Sequence, residues 1–183
     1  MFLRYREDKT TQAAARILRL SGGRMPYMSL IKLLYFADRR ALLNHGRPIS
    51  YDFFVSMPHG PVLSRTYGLI MEEPDPDHPS YWRTYISEPD NYYKVELTQD
   101  VPNDQLSPAE EEILDQVSQE FGHLNQWQLR DFTHTLPEWR DPHGSSVPIE
   151  IGDILTNQGL SAEEAEAIVE ELAAAQAAAE LTG

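Results

Sequence analysis

The sequence predicts an α+β protein that is predominantly α-helical. It would be a helical domain carrying a small three-stranded antiparallel sheet in a winged-helix-like element order, followed by a C-terminal helical extension. Three observations carry this expectation. Apolar residues recur at helical spacing near residues 10–20, 32–43 and 108–121. Aromatic residues alternate with polar ones at 51–57 and 81–98, the period of a strand. The last stretch contains EELAAAQAAAEL, helical by propensity but poor in large apolar groups.

Each element has its own local signal. Thr10 or Thr11 is a candidate N-cap, followed by an alanine run and an Ile17, Leu18, Leu20 stripe, and Ser21-Gly22-Gly23 ends that helix. Ser29 is the expected cap of a second helix, in which Leu33, Leu34, Phe36, Ala37, Ala41 and Leu42 cluster at helical spacing. Gly46 is placed to stop it in the left-handed region, with Pro48 following where a helix no longer continues. Tyr51, Phe53 and Val55 then alternate with Asp52, Phe54 and Ser56 as a strand. Pro61, after His59-Gly60, sits where a third helix would place its first residue.

The segment EEPDPDHPS at 72–80 reads as a loop, and residues 81–98 read as a β-hairpin around Glu88-Pro89-Asp90-Asn91. Ser107-Pro108-Ala109-Glu110 is a capping box with proline at the first helical position. A further helix is expected from Asn125 to Phe132, with Trp127 and Leu129 adding apolar area. Beyond Pro142 come a short helix, 149–155, and a long one capped by Ser161 with Glu164.

Lys32 to Asp38 reads KLLYFAD, Gly46 to Ile49 reads GRPI, and Gly60 to Val62 reads GPV. In the same order follow Leu106-Ser107-Pro108, Gly122-His123-Leu124, Trp127, Leu129, Thr133-His134, Pro137 and Trp139. This series resembles the Panacea domain, the SocA-like antitoxin domain, over roughly residues 10–142. The resemblance implies a domain at 1–142 and an acidic, alanine-rich helical extension at 143–183. It implies that Lys32, Tyr35, Asp38, Gly46, Pro48, Asp52, Val62, Trp127, Thr133, His134 and Trp139 are motif residues. It also implies an antitoxin whose partner is a cognate protein toxin encoded by a neighbouring gene, a cytoplasmic protease being a second partner in one mode known for the family. One departure is visible: Pro58-His59 stands before Gly60 where the family pattern has a lysine or arginine and then an aromatic, so the turn carries different electrostatics.

Composition bounds the alternatives. With 183 residues the chain suits one domain with an appendage, and the absence of cysteine excludes disulfides and thiolate metal sites. The N-terminal MFLRYREDK carries charges where a secretion signal needs an apolar run, so a cytoplasmic protein without membrane association is expected. Residues 1–65 hold 11 of the 15 Lys and Arg against four acids, a local charge of +7, while residues 66–183 hold 25 acids and sum to −21. Two readings follow. Either the basic side chains neutralise acidic neighbours on folding, or the molecule presents one basic and one acidic face suited to steering a partner.

Chemical motifs are missing. There is no GxSxG elbow, Walker-type glycine loop or HExxH, and the six histidines, at 45, 59, 78, 123, 134 and 143, have irregular spacing. The expectation is no catalytic residue, no cofactor and no metal, with His134 a polar core or capping residue. Lys32 and Asp38 lie on different helix faces, so each should bond another segment, Asp38 reaching the Arg47 loop. Partner contacts are expected from Tyr51, Phe53, Phe54, Met57, His59, Gly60 and Pro61, because an aromatic on the outer strand face needs either a covering layer or a partner. Nucleic acid is a rival partner, through Arg16, Arg19, Arg24, Arg39 and Arg40. The acidic residues Glu88, Asp90 and Glu96 on the expected wing argue against it.

Overall fold

A computed structural model describes residues 4–72 and 77–182. The centre of the expected acidic loop, residues 73–76, lies outside the described residues. The elements in chain order are α1 (Glu7–Leu20), β1 (Arg24–Pro26), α2 (Tyr27–His45), β2 (Phe54–Met57), β3 (Gly60–Leu63), α3 (Ser64–Met71), α4 (Tyr81–Tyr85), β4 (Lys94–Glu96), α5 (Pro108–Phe121), α6 (Gln126–Thr133), β5 (Val147–Ile149), α7 (Ile151–Asn157) and α8 (Ala162–Thr182).

Helix α2 is the axis of the molecule. Residues Ser29 to Asp38 are buried without interruption, which leaves this helix no solvent face over that stretch. It touches α1, α3, α5, α6, α7, β1 and β3. Gly46 ends it with φ 69, as the left-handed stop requires, and its N–H bonds the Leu42 carbonyl. The Ser29 cap is not used: Pro26 precedes the helix and Ser29 is buried one turn inside it. Helix α1 likewise starts earlier than expected. Thr10 and Thr11 are interior residues whose hydroxyls bond the carbonyls of Arg6 and Glu7, four residues back.

The three-stranded antiparallel sheet exists, in the order β3-β2-β5, but its strands are not the expected set. Strand β2 faces β3 through a tight turn and faces β5 on its other side, with Phe54 opposite Ile149. Pro61 is therefore a strand residue, and α3 starts three residues later at Ser64. The β3 edge tolerates a proline because only one of its sides is paired. The expected hairpin at 81–98 forms only in part. Its first arm is the short helix α4, and its second arm, β4, pairs with β1 in a separate two-stranded sheet. An isolated bridge between Ile86 and Leu97 is what remains of the hairpin pairing. The helix wins over strand alternation because Ser80 caps it by accepting from the Arg83 N–H, while Glu7 of α1 accepts from the Trp82 N–H at 3.0 Å. Trp82 is then fully buried.

The two later capping boxes form as read. Ser107 and Glu110 exchange bonds at the start of α5, and Ser161 and Glu164 do so at the start of α8. The segment after residue 142 is tied into the main body. Beyond supplying β5, it buries Ile149, Ile151, Ile154 and Leu155 in the same core as α2, and Ala165 and Leu172 of α8 are also buried. Ending the chain at residue 142 should therefore cost several kcal/mol, since each aliphatic side chain returned to water forfeits about 1.5–3 kcal/mol. Urea unfolding measures this. A truncated chain as stable as the full one would show that the extension adds nothing to the core.

Candidate functional site

Polar side chains of a helix that has no solvent face must find partners in other segments. Lys32, Tyr35 and Asp38 leave α2 in different directions, and each fastens a different piece of chain. The Lys32 ammonium donates to the Pro61 carbonyl at 2.7 Å and so holds the start of β3. The Tyr35 hydroxyl donates to Glu138 at 3.0 Å, and Arg39, one turn further along α2, donates to the same carboxylate at 2.6 Å. Asp38 accepts from the backbone N–H groups of Ile49 and Ser50, each at 3.0 Å, and from the Ser50 hydroxyl. The expectation that Asp38 reaches the loop at Arg47 is met two residues further on. Pro48 is buried beside that loop.

Asp52 continues the same logic. Fully buried, it accepts from the N–H groups of Arg65 and Thr66 at 2.9 and 2.8 Å and from the Thr66 hydroxyl at 2.8 Å. It thereby caps α3, whose own preceding residue, Leu63, has no side-chain acceptor. Between the anchored residues Ser50 and Asp52, Tyr51 is left with φ 56, a conformation that aromatic residues seldom adopt. Burial pushes the Asp38 carboxyl up to about 7, opposed by the hydrogen bonds from Ser50 and Ile49.

The β2–β3 turn is clamped from the opposite side by residues 133–140. Trp139 Nε1 donates to the Met57 carbonyl at 3.2 Å, and the Arg140 N–H donates to Ser56 Oγ at 3.2 Å. His134 ends α6 and stacks on Trp139 with ring centroids 4.1 Å apart. Its imidazole is lowered below the usual range by burial first, then by Lys32 and Arg130. Gly60 has φ 92, and a Cβ there would collide with Thr133 Oγ1 and lie 3.0 Å from Lys32 Nζ. Lys32, Gly60 and Thr133, far apart in sequence, thus meet at one point. Val62 is buried in the core behind them.

Among the expected contact residues, the structure separates two groups. Met57 is half-buried and Pro58 and His59 are exposed, so the tip of the turn faces outward on a fixed base. Tyr51 and Phe53 are half-buried, with the Arg65 guanidinium 5.2 Å from the Phe53 ring centre. Phe54 is a correction: it is buried and meets Tyr35 edge-on at 5.6 Å, because α2 covers that face of β2. Gly60 and Pro61 are likewise buried and belong to the base of the turn. Trp127 is expected from the sequence to add apolar area to its helix together with Leu129. It is 49% exposed under the Arg130 guanidinium, whereas Leu129 is buried. Glu138, the carboxylate on which Tyr35 and Arg39 converge, was not foreseen in this role; the only local hint is its place between Pro137 and Trp139.

The charge asymmetry resolves into pairing. Lys9 meets Glu110 at 2.6 Å, Arg16 meets Asp115 at 2.7 Å, Arg39 meets Glu138, Arg40 meets Glu120, and Arg24 meets Asp90. The basic first third is thus distributed over acidic segments, and the arginines expected for phosphate contact are engaged with carboxylates or, for Arg19, with the Val101 carbonyl.

The sequence model of one family, antitoxin SocA-like, Panacea domain, matches residues 30–140. Comparisons with curated proteins and with solved structures found no match. Among the described residues no helix is long and apolar enough to cross a membrane, and no group of His, Asp and Glu could hold a metal ion.

Two substitutions test the clamp. Gly60→Ala should destabilise by more than about 2 kcal/mol, combining left-handed strain with the collision at Thr133. Gly159→Ala, at φ 99 with open space around it, should cost only about 1–2 kcal/mol from the same strain. Equal losses in urea unfolding would refute a packing role for Gly60. Lys32 adds a pH signature. Burial lowers its amine from 10.5 to about 7, so across that window the folded state binds fewer protons than the unfolded chain. Its contribution to stability is present above the unfolded value and is lost as pH falls towards about 7. The stability of Lys32→Met relative to the parent should therefore rise by about 2 kcal/mol between about pH 9 and about pH 7. Parallel pH profiles would show that Lys32 does not titrate there.

Proposed function

The chain belongs to the SocA-like antitoxin, Panacea domain family, and from that premise we propose that it neutralises a protein toxin, the product of a neighbouring gene, by binding it directly through the β2–β3 turn. The observation that carries this reading is the contrast within the turn. Its base is fixed by Lys32, Thr133, His134 and Trp139, while Pro58 and His59 project into solvent. A surface fixed before binding loses little conformational entropy on association, which favours tight complexes. The motif residues hold the scaffold, and the tip, where Pro58-His59 departs from the family pattern, would carry the contacts particular to this chain.

Size supports the same view. A stable complex covers about 800 Å² on each partner with a few anchoring side chains. The turn alone is too small, so Phe53, Tyr51 and the adjoining Arg65 would enlarge the contact on the same side of β2 as Val55 and Met57, whose half-buried residues alternate with the buried Phe54 and Ser56.

Co-expression tests the proposal. The neighbouring gene product should arrest growth by itself, and this protein should restore it. His59→Glu together with Met57→Asp should abolish rescue, with the unfolding midpoint within a few degrees of the parent, since His59 is exposed and Met57 only half-buried at the edge of the core. A neighbour that is harmless, or that stays toxic beside the unmodified protein, would overturn the antitoxin reading. Full rescue by the doubly substituted protein would move the interface elsewhere.

A further inference from the structure

Lys32 does more than a structural lysine would need to. Its side chain is 1% exposed, yet among the described residues no carboxylate pairs with it, and its one hydrogen-bond acceptor is the Pro61 carbonyl. An ammonium has three donors. The buried ion pairs elsewhere in this protein are complete, as where Arg39 and Tyr35 share Glu138. The Nε2 atom of His134 is buried with no hydrogen-bond partner.

A small cavity adjoins this cationic point. It has a volume of about 50 Å³ and is lined by Tyr27, Met28, Ile31, Lys32, His59 and Gly60 among others. One water occupies about 30 Å³ of liquid, so the space admits a group of only a few heavy atoms. Its walls are largely apolar, which strengthens any charge interaction inside it. Its mouth includes Met57, Pro58 and His59, the tip assigned above to the partner.

We propose that this cavity receives the carboxylate of an acidic side chain of the protein partner, which completes the ion pair that Lys32 lacks in the free protein. The proposal takes its occupant from the antitoxin reading, while the site itself rests on the uncompensated Lys32 and on the cavity between Lys32 and the exposed turn. A partner carboxylate would favour the protonated form of the Lys32 amine, and because that amine is already desolvated, part of the cost that ordinarily accompanies an interfacial ion pair is removed.

The probe is acetate, and the readout is the Lys32 amine in the intact protein. The chain has three lysines, Lys9, Lys32 and Lys94, so lysine labelled with carbon-13 gives three side-chain signals. Assignment uses Lys9→Arg and Lys94→Arg, which leave Lys32 untouched. In saturating sodium acetate, against sodium chloride at equal ionic strength, the Lys32 titration should move up by about one unit, as a nearby opposite charge requires. Lys9 and Lys94 should not move, and neutral acetamide should have no effect. An unchanged Lys32 titration in acetate, or equal shifts in acetate and acetamide, would overturn the proposal. Rescue in co-expression without an acetate response would retire the carboxylate site and leave the antitoxin reading standing. An acetate response without rescue would support the site and retire only the identity of its occupant.

Discussion

The structure depends on the burial of α2 around its whole circumference through most of its length. A helix with no solvent face cannot leave a polar side chain unpaired without a penalty of several kcal/mol. Lys32, Tyr35 and Asp38 convert that constraint into architecture, because each must reach a different neighbouring segment. The start of β3, the segment at Glu138 and the loop at residues 49–50 are thereby held at fixed positions around one axis. Asp52 extends the arrangement by one further step, from the anchored loop to the start of α3.

Rigidity at the β2–β3 turn follows from this. Lys32 fixes it from inside, residues 133–140 fix it from outside, and Gly60 is the position where the two clamps meet with no room for a side chain. The polar bonds are satisfied by backbone groups as often as by side chains, so they bind chain segments rather than pairs of residues. The strain at Tyr51 has the same origin. Ser50 donates to the buried Asp38 carboxylate and Asp52 accepts from the Thr66 N–H, and the residue between them takes the conformation that remains.

Electrostatics divides into two regimes. The surface pairs between the basic first third and the acidic remainder are numerous and individually worth little, and they set much of the basic charge beside carboxylates. Lys32 is the exception, a desolvated amine held by a carbonyl. Asp38 and Asp52 are also buried without an opposite charge, but each accepts several N–H and O–H bonds, whereas Lys32 has the Pro61 carbonyl alone among the described residues.

The sequence by itself determined the family, the helix-rich class and every element whose signal lies within a few residues. The Gly46 stop and the Ser107 and Ser161 capping boxes were legible for that reason. It also showed that Lys32 and Asp38 point apart. Only the tertiary structure decided which strands pair, since β5 joins β2 across some ninety residues of chain and β1 takes β4 from the expected hairpin. It alone decided that Phe54 faces inward, that Trp127 faces outward and that Glu138 receives Tyr35 and Arg39. Periodicity reports that two faces of a strand differ, but which face is covered depends on contacts with remote segments, and no local pattern encodes those.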